Sequence, residues 1–563
     1  MTSRTPSLIC LAVLAGLTIA PQHARAQQPF APVQPLLNAP TLSNATAINH
    51  SDVAQALEHG TQLEQQKRWA EAVSHYEDAL KVNPDRPELK QRLTMVRAHY
   101  DVARRYADAS YTRSITTLTE VEALQLYEDV LLKVSVNYVQ QPKWHDLLRQ
   151  GTTNLGAALT EPVFATANNL QLTKEQHVQL QRDIRYWTDR QPIENRQQAK
   201  DLVEAIARTI KHRYQISPQA VILEYASGAA AALDEYSSFL TDNQMEEIFA
   251  QIEGNFVGLG VELKTEPAGL LVVNVITGGP ASVGGIRSGD RIIQVDDKTA
   301  DQVTPDQLAD LLRGTEGSVV SVVLRDPNND VRTLKLTRRR VEVPSVEDVR
   351  MVEAGVGYFK LTSFQKTTSR DVDAALWKLH EQGMRSLVID LRGNPGGLLK
   401  ASVEVADKFV KDGLIVATRG RSHRENESHW GKAENTWSVP LVVLIDHDSA
   451  SASEILAGAI RDHRRGTVVG EKSYGKGSVQ GIFPLNIVQE RPATDRLNPG
   501  IRLTTAQWYT PNGTAISKRG IEPDIAVRSA AKPIPGQPAI PAAEDAILRA
   551  GVTAARNLTV ASK

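Results

Sequence analysis

Residues 441–480, LVVLIDHDSASASEILAGAIRDHRRGTVVGEKSYGKGSVQ, constrain this chain more than any other stretch. The apolar run 441–445 is too short for a helix and stops at Asp446, so it reads as a buried strand. Three alternate serines follow, Ser449, Ser451 and Ser453, and then Ile455, Leu456, Ala459 and Ile460 at helical spacing. A small-residue turn between strand and helix presents a side chain beside free backbone N–H groups, a good platform for a nucleophile. Ser451 and Glu454 also spell the S-x-x-E capping box, and an N-cap is the reading these residues alone favour. No G-x-S-x-G elbow is present, and His447 and His463 lie among acids and arginines, as on a solvated face. Lys476 and Gln480 are four apart and share a side of either a helix or a strand.

SASASE followed by YGKGSVQ resembles the C-terminal processing peptidases, or tail-specific proteases. The separation of 25 residues between Ser451 and Lys476 fits that family's pattern. The resemblance implies Ser451 as nucleophile, Lys476 as general base and Gln480 as the third member. Arg392-Gly-Asn-Pro-Gly-Gly397 would by itself be a tight turn needing glycine's positive φ. By resemblance it supplies an oxyanion-hole N–H from Gly397, with Gly396 as the fallback, and Ala452 supplies the second.

The chemistry asks for a neutral lysine. With an ordinary pKa of about 10.4, roughly one lysine in a few thousand is neutral at pH 7. Half-neutrality needs a shift of about 3 units, or ~4 kcal/mol, which burial can provide. Gln480 offers a neutral amide to orient the amine, where a carboxylate would favour the ammonium. Val468, Val469 and Tyr474 are candidates for excluding water. The rival base, Lys472, follows Glu471 and reads as paired and solvated. The pattern implies no cofactor and no metal.

Residues 1–26 read as a signal peptide: Arg4, an apolar core over 8–19, and Ala24-Arg25-Ala26 as the cleavage site. Export, to the periplasm, is therefore expected. Cys10, the one cysteine among 563 residues, falls inside it, which excludes disulfides and thiolate chemistry from the mature chain. A formal net charge of -1 gives no footprint for nucleic acid, and Arg338-Arg339-Arg340 reads as a solvated strand end. Residues 27–50 read as a flexible leader. Residues 51–106 carry Gly60, Ala72, Tyr76, Ala79 and Pro84 at positions of a tetratricopeptide-like (TPR-like) helical hairpin, a surface for a regulatory adaptor or simply for packing.

Residues 107–244 read as a helical region whose end joins the protease core. There LRQGTTNLGAAL echoes ASGAAAALDEY, as an insertion or a degenerate duplication would. Leu233-Asp-Glu-Tyr-Ser-Ser-Phe-Leu240 resembles a family signature, with Glu235 where proline is usual. Residues 245–343 resemble a PDZ β-domain. Val257, Gly258, Leu259, Gly260 and Val261 form its carboxylate-binding loop, and helix 304–312, including Leu308, reads the last side chain of a peptide. Residues 344–528 alternate strand and helix as an α/β protease core, crotonase-like by resemblance. Residues 486–499 replace a usual short turn, and 529–563 are a Pro-rich linker and a last helix without assigned role.

The expectation is thus a multidomain α+β chain, an exported serine endopeptidase that takes protein substrates with exposed C-terminal tails through its PDZ domain. Homo-oligomer formation stays open. The competing expectations are a catalytically inactive TPR/PDZ adaptor of the cell envelope and an acyl-CoA enzyme on the crotonase-like core.

Overall fold

The computed structural model describes residues 10–11, 52–190, 192–266, 269–303, 308–309, 311–432, 434, 436–489, 491–492, 496–528 and 545–561. The leader 27–50, the Pro-rich linker and nearly all of residues 1–26 lie outside these. Of 1–26 only Cys10–Leu11 is described, as a short strand running antiparallel to Gly481 and Gln480.

The N-terminal half is helical. Helices Val53–Gln65 and Trp69–Val82 form a hairpin in which Tyr76 fills the space that Gly60 leaves open, and Pro87–Ala107 caps it. Helix Glu120–Asn137 starts at a full capping box, Thr119 with Glu122, and packs with Trp144–Ala158 and Pro218–Ala231 into one apolar core. The two segments that echo each other in sequence pack together here, at Gly151 and Gly228. A Cβ on Gly228 would lie 2.4 Å from the Gly151 Cα, so the two backbones touch. Deeper in, Arg105 pairs with fully buried Glu224 at 2.5 Å, and Tyr111 donates to the same carboxylate at 3.0 Å. The insertion 486–499 docks on this region: Asn486 N–H donates to Asp129 at 2.8 Å, and Arg491 pairs with Glu122 at 2.6 Å.

The protease core is built on two sheets. One is Val346–Glu353, Val356–Leu361, Ser386–Asp390, Leu441–Ile445, Thr467–Gly470 and Ile525–Ala526, in that spatial order and parallel except for its first pair. The strands from Val356 onward to Gly470 are near-continuous apolar runs because helices cover both faces. Thr368–Glu381, Leu399–Asp407 and Ala452–Asp462 cover one face. The helix Ala546–Ala561 covers the other, through Ile547, Leu548, Val552 and Ala555. That last helix, unassigned from sequence, thus completes the core, and Asp545 just before it pairs with Arg392 at 2.8 Å. The second sheet joins Ser478–Pro484, Gly500–Tyr509, Leu414–Gly420 and Ser428–Trp430, with Ser238–Leu240 pairing on Gly500–Arg502.

The PDZ sheet runs in the order Val261–Glu266, Gly269–Val275, Arg291–Val295, Val319–Arg325, Val331–Thr337, so Val261–Glu266 lies at an edge. Three sequence expectations need correcting. The helix Asp242–Glu253 sends Met245, Ile248 and Ile252 into the protease core, so residue 245 does not begin the PDZ packing. Leu308 is fully buried in the PDZ core rather than on an open groove face. Arg338 is buried and donates to the Leu311 and Leu312 carbonyls, so only Arg339 and Arg340 are solvated.

The PDZ domain leaves and re-enters the core through one ribbon. Asn255–Gly258 pairs antiparallel with Arg339–Glu342, and the Val343 N–H donates to the Gly254 carbonyl at 2.8 Å.

Because Gly151 and Gly228 meet backbone to backbone, Gly228→Val is expected to destabilise the chain by at least about 1–3 kcal/mol, the usual cost of overpacking. Urea denaturation measures it, and Gly156→Ala, where nothing lies within 4 Å, should cost far less.

Candidate active site

The strand Leu441–Ile445 is fully buried, and the turn after it is held from several sides. Asp446 accepts from the N–H groups of Gly393, Asp448 and Ser449 and from the Ser449 hydroxyl. Asp446 belongs to the one acid–histidine cluster of metal-ligand size among the described residues, in which His447 pairs with Asp448 and Glu471. The three serines then separate by role. Ser449 Oγ donates to the Leu391 carbonyl at 2.9 Å, and Ser453 Oγ to the Asn394 carbonyl at 2.9 Å. Ser451 Oγ, fully buried, has no hydrogen-bond partner among the described residues.

Ser451 is also strained, with φ 56° and ψ -113°. A non-glycine residue held there costs on the order of 1–3 kcal/mol and persists where the surroundings fix it. The N-cap reading is not realised: the N–H of Glu454 bonds the Ser451 carbonyl at 2.9 Å, leaving the hydroxyl unused. What remains of the capping box is its return half, the Glu454 carboxylate accepting the Ser451 N–H at 2.8 Å.

That carboxylate does more. Its Oε2 also accepts the Lys476 N–H at 2.9 Å, and its Oε1 accepts the Gly475 N–H at 2.7 Å and the Ser473 hydroxyl at 2.5 Å. One buried side chain therefore joins the serine turn to the lysine turn. Burial raises the Glu454 pKa, and its four donors oppose that shift.

Lys476 is 2% exposed. The Trp508 indole donates to its carbonyl at 2.9 Å, and its Nζ lies 5.0 Å from the centre of the Tyr236 ring. Burial, then the positive charge of Arg502, lowers its pKa to about 7, against the attraction of Glu454, Glu235 and Asp234. Tyr236 is held by Asp234, which accepts the N–H groups of Tyr236 and Ser237 at 2.9 and 2.8 Å. Tyr474 is 48% exposed, so Tyr236 and Trp508 shield the lysine, while Val468 and Val469 belong to the sheet core. Lys472 is half exposed and pairs with Glu522 rather than Glu471. Gln480 is fully buried; its amide donates to Ser478 Oγ at 2.8 Å, and its Oε1 has no partner.

The glycine turn lies against the serine. A Cβ on Gly396 would sit 2.8 Å from the Ser451 Cβ and 2.9 Å from the Ala452 nitrogen. Gly396 cannot be the free donor, because its N–H bonds Asn394 Oδ1 at 2.8 Å. The N–H groups of Gly397 and Ala452 have no acceptor among the described residues. Gly397 is fixed by the Leu398 N–H on the Phe364 carbonyl, and a Cβ there would strike that oxygen at 2.1 Å.

Sequence reading missed three contributors: Glu454 as a tie rather than a cap, Tyr236 over the lysine, and Arg502 beside it. The S-x-x-E spacing and the Leu-Asp-Glu-Tyr signature were the available signals for the first two.

Residues 355–527 match the model of Peptidase family S41, and residues 271–326 match that of the PDZ domain. A carboxy-terminal-processing protease of Bartonella bacilliformis is 36% identical over 338 residues, 59% of this chain and 74% of that one. A carboxyl-terminal-processing protease of Picosynechococcus is 34% identical over 299 residues, 52% of this chain and 70% of the relative. Among solved structures, a photosystem II D1 C-terminal processing protease shares 25% identity over 72% of this chain and 92% of its own, with a TM-score of 0.37. The chain is a serine peptidase that carries a PDZ domain. It belongs to the carboxy-terminal-processing protease family.

Replacing Glu454 by Gln sets an amide N–H group against at least one backbone N–H, that of Gly475 at one oxygen site or those of Ser451 and Lys476 at the other. We expect kcat to fall about 10²-fold with KM little changed, as misplacement of reacting groups does, read by steady-state kinetics.

Proposed function

We propose that Ser451, Lys476 and Gln480 carry out the peptide hydrolysis, with the oxyanion held by the N–H groups of Gly397 and Ala452. The observation that carries this reading is the unpaired Ser451 hydroxyl, fully buried and strained, among unpaired donors. A fold leaves a buried polar atom unsatisfied only at a cost of about 1–3 kcal/mol, and such atoms point to function.

Neutral Lys476 accepts the Ser451 proton as Oγ bonds the scissile carbonyl carbon. The resulting ammonium then protonates the leaving amine as the C–N bond breaks. Water, activated by the same amine, releases the acyl group and restores Ser451. Gln480 Oε1, a buried acceptor without a partner, suits the orienting of the ammonium formed midway. The protease core is read as crotonase-like and the helical hairpin as tetratricopeptide-like, a docking surface for an adaptor.

The PDZ domain binds C-terminal peptides of proteins. The finer reading is strand addition at the edge Val261–Glu266, with the substrate carboxylate on the Gly258–Gly260 loop. Residues 1–26 direct export to the periplasm, and N-terminal sequencing of the exported chain is expected to begin at Gln27.

Cleavage of an unfolded protein with an apolar C-terminus is the test. Ser451→Ala and Lys476→Ala should abolish it; a Ser451→Ala variant that cleaves as well as the wild type overturns the assignment. Since the lysine must be neutral, activity is fully present above its pKa of about 7 and lost below it. The acid limb of kcat/KM should fall tenfold per pH unit below pH 7.

A further inference from the structure

Arg502 lies on strand Gly500–Tyr509 with 3% of its surface exposed. Its ladder partner is Ile482, and that of Gln480 is Thr504. Arg502 and Gln480 therefore point to the same face of the sheet, two positions apart. The Arg502 Nε donates to the Tyr236 carbonyl at 2.9 Å, and the ring of that same tyrosine lies 5.0 Å from Lys476 Nζ.

No carboxylate among the described residues forms an ion pair with Arg502. Burial lowers the pKa of even this guanidinium to about 10, opposed by Asp234 and reinforced by the positive charge of Arg104. An unpaired buried charge is expensive, and folds avoid it unless the charge itself has a use. Here the tyrosine that Arg502 holds covers the one residue of the site that must shed a proton.

The groups acting on Lys476 come from three other elements. Glu454 of the serine helix and Glu235 and Asp234 of the preceding loop favour its ammonium; Arg502 of the strand disfavours it. Three acids would hold the lysine charged in a pocket with no opposing cation. Glu454 is spread over four donors and Asp234 over two backbone N–H groups, which leaves the guanidinium free to act.

We propose that Arg502 is a positioning residue that keeps Lys476 in its proton-accepting form by setting an unpaired positive charge in the same water-poor pocket. A like charge at close range disfavours the charged state of its neighbour. The second effect is steric order: the bond to the Tyr236 carbonyl holds the ring that covers the amine. The inference rests on Lys476 as the base.

The experiment is the pH dependence of kcat/KM for Arg502→Met, Arg502→Gln and Arg502→Lys in the full chain. The neutral variants should move the acid limb up by about one pH unit, while Arg502→Lys keeps it at the wild-type position. Gln still reaches the Tyr236 carbonyl, so a shift in that variant separates charge from tethering. An activity loss equal at every pH, with the limb unmoved, overturns the proposal and leaves Arg502 a structural residue. Should circular dichroism show that the neutral variants do not fold, Arg502→Lys decides: a retained limb supports the charge, a displaced one overturns it. Lys476→Ala cleaving normally would instead remove the base assignment itself, an outcome distinct from any Arg502 result.

Discussion

The active site rests on a single buried carboxylate. Glu454 takes N–H groups from Ser451, Gly475 and Lys476 and a hydroxyl from Ser473, so two turns 25 residues apart in sequence share one anchor. Ser473 Oγ in turn accepts the Ile521 N–H at 2.6 Å, drawing the chain after strand Gly500–Tyr509 into the same network. Fully satisfied buried networks specify one arrangement, because each member left unpaired would be costly. Within that frame Ser451 Oγ and Gln480 Oε1 stay without a hydrogen-bond partner among the described residues.

The site is shared by elements far apart in the chain. The serine sits in the turn after a parallel-sheet strand, the lysine in the turn before strand Ser478–Pro484 and the glutamine on that strand, and Tyr236 arrives from the end of the helical region. Ser238–Leu240 joins that second sheet at Gly500–Arg502, which seats Tyr236 next to Arg502. The helical half therefore does more than precede the protease. It contributes a strand and a lid residue, and its Asp129 and Glu122 hold the insertion that follows the glutamine strand.

Much of the site was legible because it is local. A five-residue apolar run, a small-residue turn and an apolar helix face announce strand, nucleophile turn and helix without tertiary knowledge. Glu454 was legible only as a cap, since three of its four partners, Ser473, Gly475 and Lys476, lie 19 to 22 residues away in another turn. Arg502 looked like any strand arginine: burial and the absence of an acid partner are properties of the assembled molecule. The C-terminal helix had its apolar face in plain view at Ile547, Leu548, Val552 and Ala555, but nothing in its sequence names the sheet it covers. Leu308 misled for the opposite reason, because an apolar residue suits a groove and a core equally, and this one packs into the PDZ core.

The ribbon under the PDZ domain has a mechanical consequence. Two separate linkers would let the domain swivel about several axes. Here both crossings are hydrogen-bonded to each other, and one end is clamped by the helix Asp242–Glu253 in the protease core. Lys366 bonds the Ile252 carbonyl and pairs with Glu253, so that clamp reaches the loop before the glycine turn. The Gly258–Gly260 loop begins where that ribbon ends, so a pull on the loop passes through paired backbone straight into the helix Asp242–Glu253.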